Sequence, residues 1–129
     1  DLADHAVAGA LAASYAPESL KDVPRELTQC WVREENGEAR ITPEACAMVR
    51  IKRLNLLGAW PMKRPFDVIF CRNVMIYFDQ PTKDRLIGRF ADQLMTGGYL
   101  YIGHSERVGG PAQQALIPAG NTIYRKEHM

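Results

Sequence analysis

No stretch of these 129 residues is apolar for long enough to cross a membrane, and the acidic start Asp1-Leu2-Ala3-Asp4 lacks the order of a signal peptide. Membrane insertion is therefore not expected, and the cytoplasm is the expected compartment. Cysteine is scarce. Cys30, Cys46 and Cys71 are odd in number and lack close paired spacing, which predicts reduced thiols rather than a disulfide framework or a zinc site. His5, His104 and His128 are equally scattered, so no metal site is expected. Net charge is nearly absent too: sixteen basic against fifteen acidic residues leave +1, too weak a field to gather nucleic acid or an anionic membrane. There is no internal repeat, no low-complexity tract and no Gly-x-Gly-x-x-Gly fingerprint. The glycine pairs at 97-98 and 109-110 are thus read as turns rather than ligand cradles, which disfavours a nicotinamide dehydrogenase.

What is present suffices for a core: 47% of the residues are hydrophobic, in a length that suits one domain or part of one. Asp4 to Tyr15 is alanine-rich and free of proline, predicting a helix with Leu11 and Tyr15 on its buried face and Pro17 just past its end. Cys30-Trp31-Val32-Arg33 and Ala39-Arg40-Ile41-Thr42 flank Asn36-Gly37, two residue types that tolerate positive φ, and so predict a hairpin. Met48 to Leu54 alternates apolar with basic residues, as a strand with one buried face does. Phe66 to Cys71 is a short apolar run between Pro65 and Arg72-Asn73, the pattern of a strand buried on both faces. A helix is expected over about Pro81 to Met95, with Leu86, Phe90 and Leu94 as its stripe, Asp79 or Thr82 as its cap and Gly97-Gly98 as its stop. Tyr99 to Ile102 reads as another buried strand, and Ala115-Leu116-Ile117 with Thr122-Ile123-Tyr124 as a terminal hairpin across Pro118 to Asn121. Strand, helix, strand order implies a parallel α/β sheet with an antiparallel hairpin at its edge.

Ligands of open α/β sheets lie outside the carboxyl ends of the parallel strands, which puts Arg72 and Asn73 where a polar ligand would be held. A guanidinium there suits a carboxylate, which it grips bidentately. On residue types alone a core strand followed by a solvated Arg-Asn turn fits equally well.

The fourteen residues FDVIFCRNVMIYFD, Phe66 to Asp79, closely resemble the segment after the fourth strand in the CheR family of chemotaxis-receptor methyltransferases. Other pieces follow in family order. Asp1-Leu2 resembles the end of the second strand, Leu54-Asn55-Leu56-Leu57 the end of the third, Gly103-His104-Ser105-Glu106 the turn after the fifth, and Gly120-Asn121-Thr122-Ile123-Tyr124 the closing strand. The likeness runs from residue 1 to residue 126, and these separate motifs agree in order and spacing.

The resemblance implies a Rossmann-like class I S-adenosylmethionine-dependent methyltransferase sheet, α/β in class. Residues 1–129 would be the C-terminal part of the catalytic domain, lacking the first strand and its glycine-rich loop, with 29–48 as a small inserted antiparallel β-subdomain. It implies methylation of glutamate side chains on the cytoplasmic domain of a chemotaxis receptor, with S-adenosylmethionine as donor and S-adenosylhomocysteine as product. It assigns Asp1 to the ribose hydroxyls, Asn55 and Leu56 to the adenine, Arg72 and Asn73 to the cofactor near its reactive end, and Tyr77 to the methyl-transfer pocket, with Arg72 and Tyr77 as the catalytic pair. No base is needed, because a glutamate of ordinary pKa, about 4.3, is already ionised at neutral pH. Gly103-His104-Ser105-Glu106 is accordingly read as a structured turn beside the pocket, with catalysis by positioning. Two departures stand out: Ala3 where a small polar or acidic residue is common, and Ala13 in place of a glycine. Glu34, Glu35 and Glu38 make the hairpin tip acidic, which disfavours an acidic tail peptide there. Without the first strand, open sheet edges predict self-association. The competing reading is a methyltransferase-like binding or scaffold module without turnover.

Overall fold

The computed structural model describes residues 1–127, so His128 lies outside the described residues. The chain divides into two compact units, Asp1–Trp60 and Pro61–Met129.

The first unit opens with α1, Asp4–Ala12. The expected helix to Tyr15 stops early because Ala13 takes a left-handed conformation, φ 52° and ψ 34°, with its N–H returning to the Gly9 carbonyl. That is a helix-ending geometry. Ser14–Tyr15 then forms a short strand, β1, so Leu11 and Tyr15 do not share a buried helix face; Leu11 is 64% exposed. A second helix, α2 (Arg25–Trp31), occupies residues read as the start of a strand. Val32 N–H still bonds to the Thr28 carbonyl, which keeps Cys30 and Trp31 helical and delays the strand to β2, Val32–Glu35.

The hairpin itself forms as its turn chemistry dictates. Asn36 at φ 53° and Gly37 at φ 78° supply the positive φ pair of a two-residue turn into β3, Glu38–Ile41. β3 lies between β1 and β2 in a three-stranded antiparallel sheet. Thr42 then caps the short helix α3, Pro43–Cys46, by accepting the Ala45 N–H. Met48 to Leu54 is not a strand: Met48 is 74% exposed and no ladder engages the segment among the described residues. Alternation alone does not make a strand where no neighbour accepts its backbone groups. The Leu54 N–H instead meets the Asp1 carbonyl at 3.1 Å.

The second unit holds a four-stranded mixed sheet in the order β4-β5-β7-β6. Its strands are β4 (Phe66–Cys71), β5 (Leu94–Ile102), β6 (Leu116–Gly120) and β7 (Ile123–Lys126), and helix α4 (Gln80–Gln93) connects β4 to β5. β4 and β5 are parallel and the β6–β7 hairpin is antiparallel, as the element order predicts. Asp79 caps α4, its Oδ1 accepting the Thr82 N–H at 3.0 Å. Leu86, Ile87 and Phe90 on α4 join Leu100, Ile102 and Leu116 in a core whose members are at most 4% exposed. Each such aliphatic burial stabilises by about 1.5–3 kcal/mol.

Three details differ from expectation. Among the described residues β4 is an edge strand, paired only with β5, and Phe66, Val68 and Phe70 on one of its faces are 39%, 41% and 70% exposed. An apolar run reports what a strand can bury, whereas burial on both faces needs a neighbour on each. α4 ends at Gln93, ahead of the glycines, and Leu94 opens β5. Gly97-Gly98 instead lies in an irregularity of the β4–β5 ladder, where the register passes from Phe66↔Leu94 to Val68↔Tyr99. A Cβ on Gly98 would stand 2.8 Å from the Asp67 carbonyl oxygen, so only glycine lets the backbones approach this closely.

Candidate functional site

In the second unit, the two parallel strands end side by side, Cys71 opposite Ile102. Each leads into a turn of unusual backbone demand. After β4 come Arg72 and then Asn73 at φ 59°, a left-handed conformation that asparagine tolerates better than most residues. A short 3-10 turn, Met75–Tyr77, carries the chain to α4, anchored by Met75, which is fully buried. The anchor leaves its neighbours outside: Ile76 is 45% and Tyr77 81% exposed. Tyr77 is therefore not a core tyrosine of this unit.

After β5 comes Gly103, whose missing side chain admits the other turn: a Cβ there would lie 3.3 Å from the Asn73 nitrogen and 3.4 Å from its Oδ1. Glu106 N–H closes the tight turn onto the Gly103 carbonyl at 3.0 Å, with His104 and Ser105 exposed at its tip. Glu106 itself turns inward. Its side chain is 3% exposed, its Oε2 lies 3.4 Å from Lys83 Nζ in the first turn of α4, and its Oε1 has no hydrogen-bond partner among the described residues. Burial, reinforced by the Glu106 charge, pushes the Cys71 thiol up to about 11, leaving it protonated and unreactive at neutral pH. The turn expected at 103–106 is present, but nothing in the sequence pattern announces the Glu106–Lys83 pair. A lone acid two residues before Val108 is a weak signal in a sequence, since only packing shows that it points inward.

In the first unit, Asp1 is brought beside Leu54 by the backbone bond already described, which sets it near Asn55 and Leu56. Asp1 Oδ1 also accepts the Ala3 N–H at 3.0 Å. Asn55 shapes its own turn, its Oδ1 taking the Leu57 N–H and its carbonyl the Gly58 N–H, both at 3.0 Å. The half-buried Leu56 offers its carbonyl to Trp60 Nε1 at 3.0 Å. The six sequence-derived candidates thus form two groups, Asp1 with Asn55 and Leu56 in one unit, and Arg72 with Asn73 and Tyr77 in the other. Between them they supply a carboxylate, two carboxamides, an apolar side chain, a guanidinium and a phenol. Among the described residues no three metal-ligating side chains come together, and no helix is long and apolar enough to cross a membrane.

The family described as CheR methyltransferase, SAM binding domain, matches residues 1–124. A probable chemotaxis protein methyltransferase of Rhizobium etli is 40% identical over 129 residues, covering 97% of this chain and 48% of that protein. The chemotaxis protein methyltransferase of Klebsiella aerogenes is 40% identical over 115 residues, 85% of this chain and 39% of its own length. That of Escherichia coli is 37% identical over 115 residues, 85% of this chain and 40% of its own length. The chain spans about half the length, or less, of these curated relatives.

Proposed function

This chain belongs to the CheR methyltransferase family, and we propose that it contributes to S-adenosylmethionine-dependent methylation of glutamate carboxylates on the cytoplasmic domain of a chemotaxis receptor. The observation that supports the reading is the Arg72-Asn73 turn at the carboxyl end of β4, the end of a parallel strand at which open α/β sheets generally take their ligands. Taken group by group, the residue types suit the parts of the cofactor. An ionised carboxylate at Asp1 suits a pair of ribose hydroxyls, Asn55 and Leu56 suit the edge and face of a purine, and Arg72 with Asn73 suits an amino-acid end.

When bound, the cofactor supplies an electrophilic methyl group on a sulfonium. The residues of this chain have only to hold and align the partners, because the attacking glutamate needs no base at neutral pH. Arg72 can grip a carboxylate through two N–H groups, and the exposed Tyr77 can offer ring packing and one O–H to the incoming side chain. In this reading residues 29–48 are a β-subdomain inserted in a Rossmann-like sheet, the protein works in the cytoplasm, and the open β4 edge supports self-association of the chain alone.

Calorimetry with S-adenosylmethionine and S-adenosylhomocysteine tests the reading, on these 129 residues and on a chain extended to the length of the relatives. Binding by the extended chain is the expected result. Absence of binding by both leaves a non-catalytic binding module in its place.

A further inference from the structure

Glu106 is an unusual group to bury. A carboxylate kept inside a fold for stability alone has its oxygens satisfied, and an apolar side chain of similar volume serves packing at least as well. Here only Oε2 has a partner, Lys83 at 3.4 Å, and Oε1 finds none among the described residues, although the side chain is 3% exposed. Its position is equally telling. Gly103 is a shared neighbour: a Cβ on it would touch the Asn73 nitrogen at 3.3 Å and Glu106 Cγ at 3.6 Å. The acid's Cγ and the nitrogen of the left-handed Asn73 thus flank the same glycine.

We propose that Glu106 is a positioning residue, fixed by Lys83, that holds the Arg72-Asn73 turn in its left-handed shape and uses its spare oxygen to take an N–H from that turn when a ligand seats on it. The role deepens the reading of Arg72 and Asn73 as ligand-binding residues and rests on it. Lys83 is well placed to set the acid's orientation because α4 is capped by Asp79, and the Lys83 N–H itself bonds to the Asp79 carbonyl at 3.0 Å. The helix start is thus tied to the carboxylate, whose free oxygen is left for the turn. The charge matters as much as the shape: a neutral amide at this position keeps the volume but loses the pull of Lys83 and one strong acceptor.

Nuclear magnetic resonance on the full chain, comparing Glu106→Gln, Lys83→Gln and Lys83→Arg, tests the positioning role without any cofactor. The Asn73 HN–Hα coupling and carbon shifts report whether that residue stays left-handed. Glu106→Gln and Lys83→Gln are expected to move them toward averaged values while Leu100, Ile102 and Tyr124 keep their wild-type shifts, and Lys83→Arg is expected to restore them. Wild-type Asn73 values in both glutamine variants overturn the proposal. Should Glu106→Gln fail to fold, Lys83→Gln decides alone, since that side chain is 22% exposed and its loss leaves the core intact. In the extended chain, cofactor affinity of the glutamine variants is expected to fall about tenfold. A wild-type extended chain that binds no S-adenosylmethionine sinks the functional reading, whereas the Asn73 signals still decide the role of Glu106.

Discussion

The same substitution at two glycines of the second unit should move stability in opposite directions. Gly98 lies buried where β5 passes β4, and an added Cβ would meet the Asp67 carbonyl oxygen at 2.8 Å, the Met95 carbonyl oxygen at 2.9 Å and Leu94 Cδ2 at 3.1 Å. Two of those three atoms are backbone and cannot swing aside. Overpacking of a fixed site costs about 1–3 kcal/mol, and the upper half of that range is expected for Gly98→Ala. Gly88 is the contrast: it sits inside α4, where an added Cβ would find nothing within 4 Å, so alanine adds only helix propensity, worth about 0.8–1 kcal/mol. In thermal unfolding, Gly98→Ala should lower the midpoint by roughly 8 °C or more and Gly88→Ala should raise it by about 4–8 °C, on the scale of roughly 4–8 °C per kcal/mol for a small unit. Urea titration followed by tyrosine fluorescence provides the independent check. A Gly98→Ala midpoint at or above wild type would refute the close approach, and a clear loss in Gly88→Ala would show that the space around α4 is filled. The first result bears on function as well, because the ladder irregularity at Gly98 sets the register that brings Cys71 opposite Ile102 and so the Asn73 turn against Gly103.

If Arg72 holds the cofactor as proposed, Arg72→Ala in a chain extended to the relatives' length would lose a charge-assisted contact worth roughly 1.5–3 kcal/mol, so cofactor affinity by calorimetry should fall about tenfold or more; unchanged affinity would return Arg72 to a solvated turn. Tyr77→Phe keeps the ring, so kcat for radiolabelled methyl transfer to receptor-bearing membranes should drop while cofactor affinity holds, and a wild-type rate would remove the hydroxyl from the reaction. Cys71, raised to about 11, should resist a thiol reagent at pH 8 while exposed Cys30 reacts, and urea should equalise the two. The sign of its pH effect follows: the folded state holds the thiol proton beyond the point at which the unfolded chain releases it, so its contribution to stability is full below pH 9 and fades as pH rises toward about 11. Cys71→Ser should flatten that alkaline limb in denaturation curves. The isolated 129 residues should show no methyl transfer and should self-associate in light scattering, and turnover by a monomer would overturn that expectation.

Much of this protein was decided locally. The Asn36-Gly37 turn and the Asp79 cap follow from residue types whose backbone preferences act within a few positions, and the structure carries both where the sequence puts them. The β6–β7 hairpin also forms, but with Pro118–Gly120 inside β6 and the turn at 121–122 rather than across Pro118 to Asn121. The motif order likewise identifies the family, and the Arg72-Asn73 turn follows from the place where an apolar run stops. Tertiary structure alone decided the rest, because those outcomes depend on partners distant in the chain. Whether Met48 to Leu54 is a strand depends on a neighbour that accepts its backbone, and alternation cannot report one. Whether β4 is central or at an edge depends on how many strands flank it, although its apolar residues are the same either way. Ala13 ends α1 in a left-handed conformation that helix propensity opposes, a local cost accepted so that Ser14–Tyr15 can pair with β3. Glu106 is the clearest case. Its letter in the sequence is that of an ordinary surface acid, and only the meeting of β4, β5 and α4 buries it beside Lys83, against the glycine that also borders Asn73.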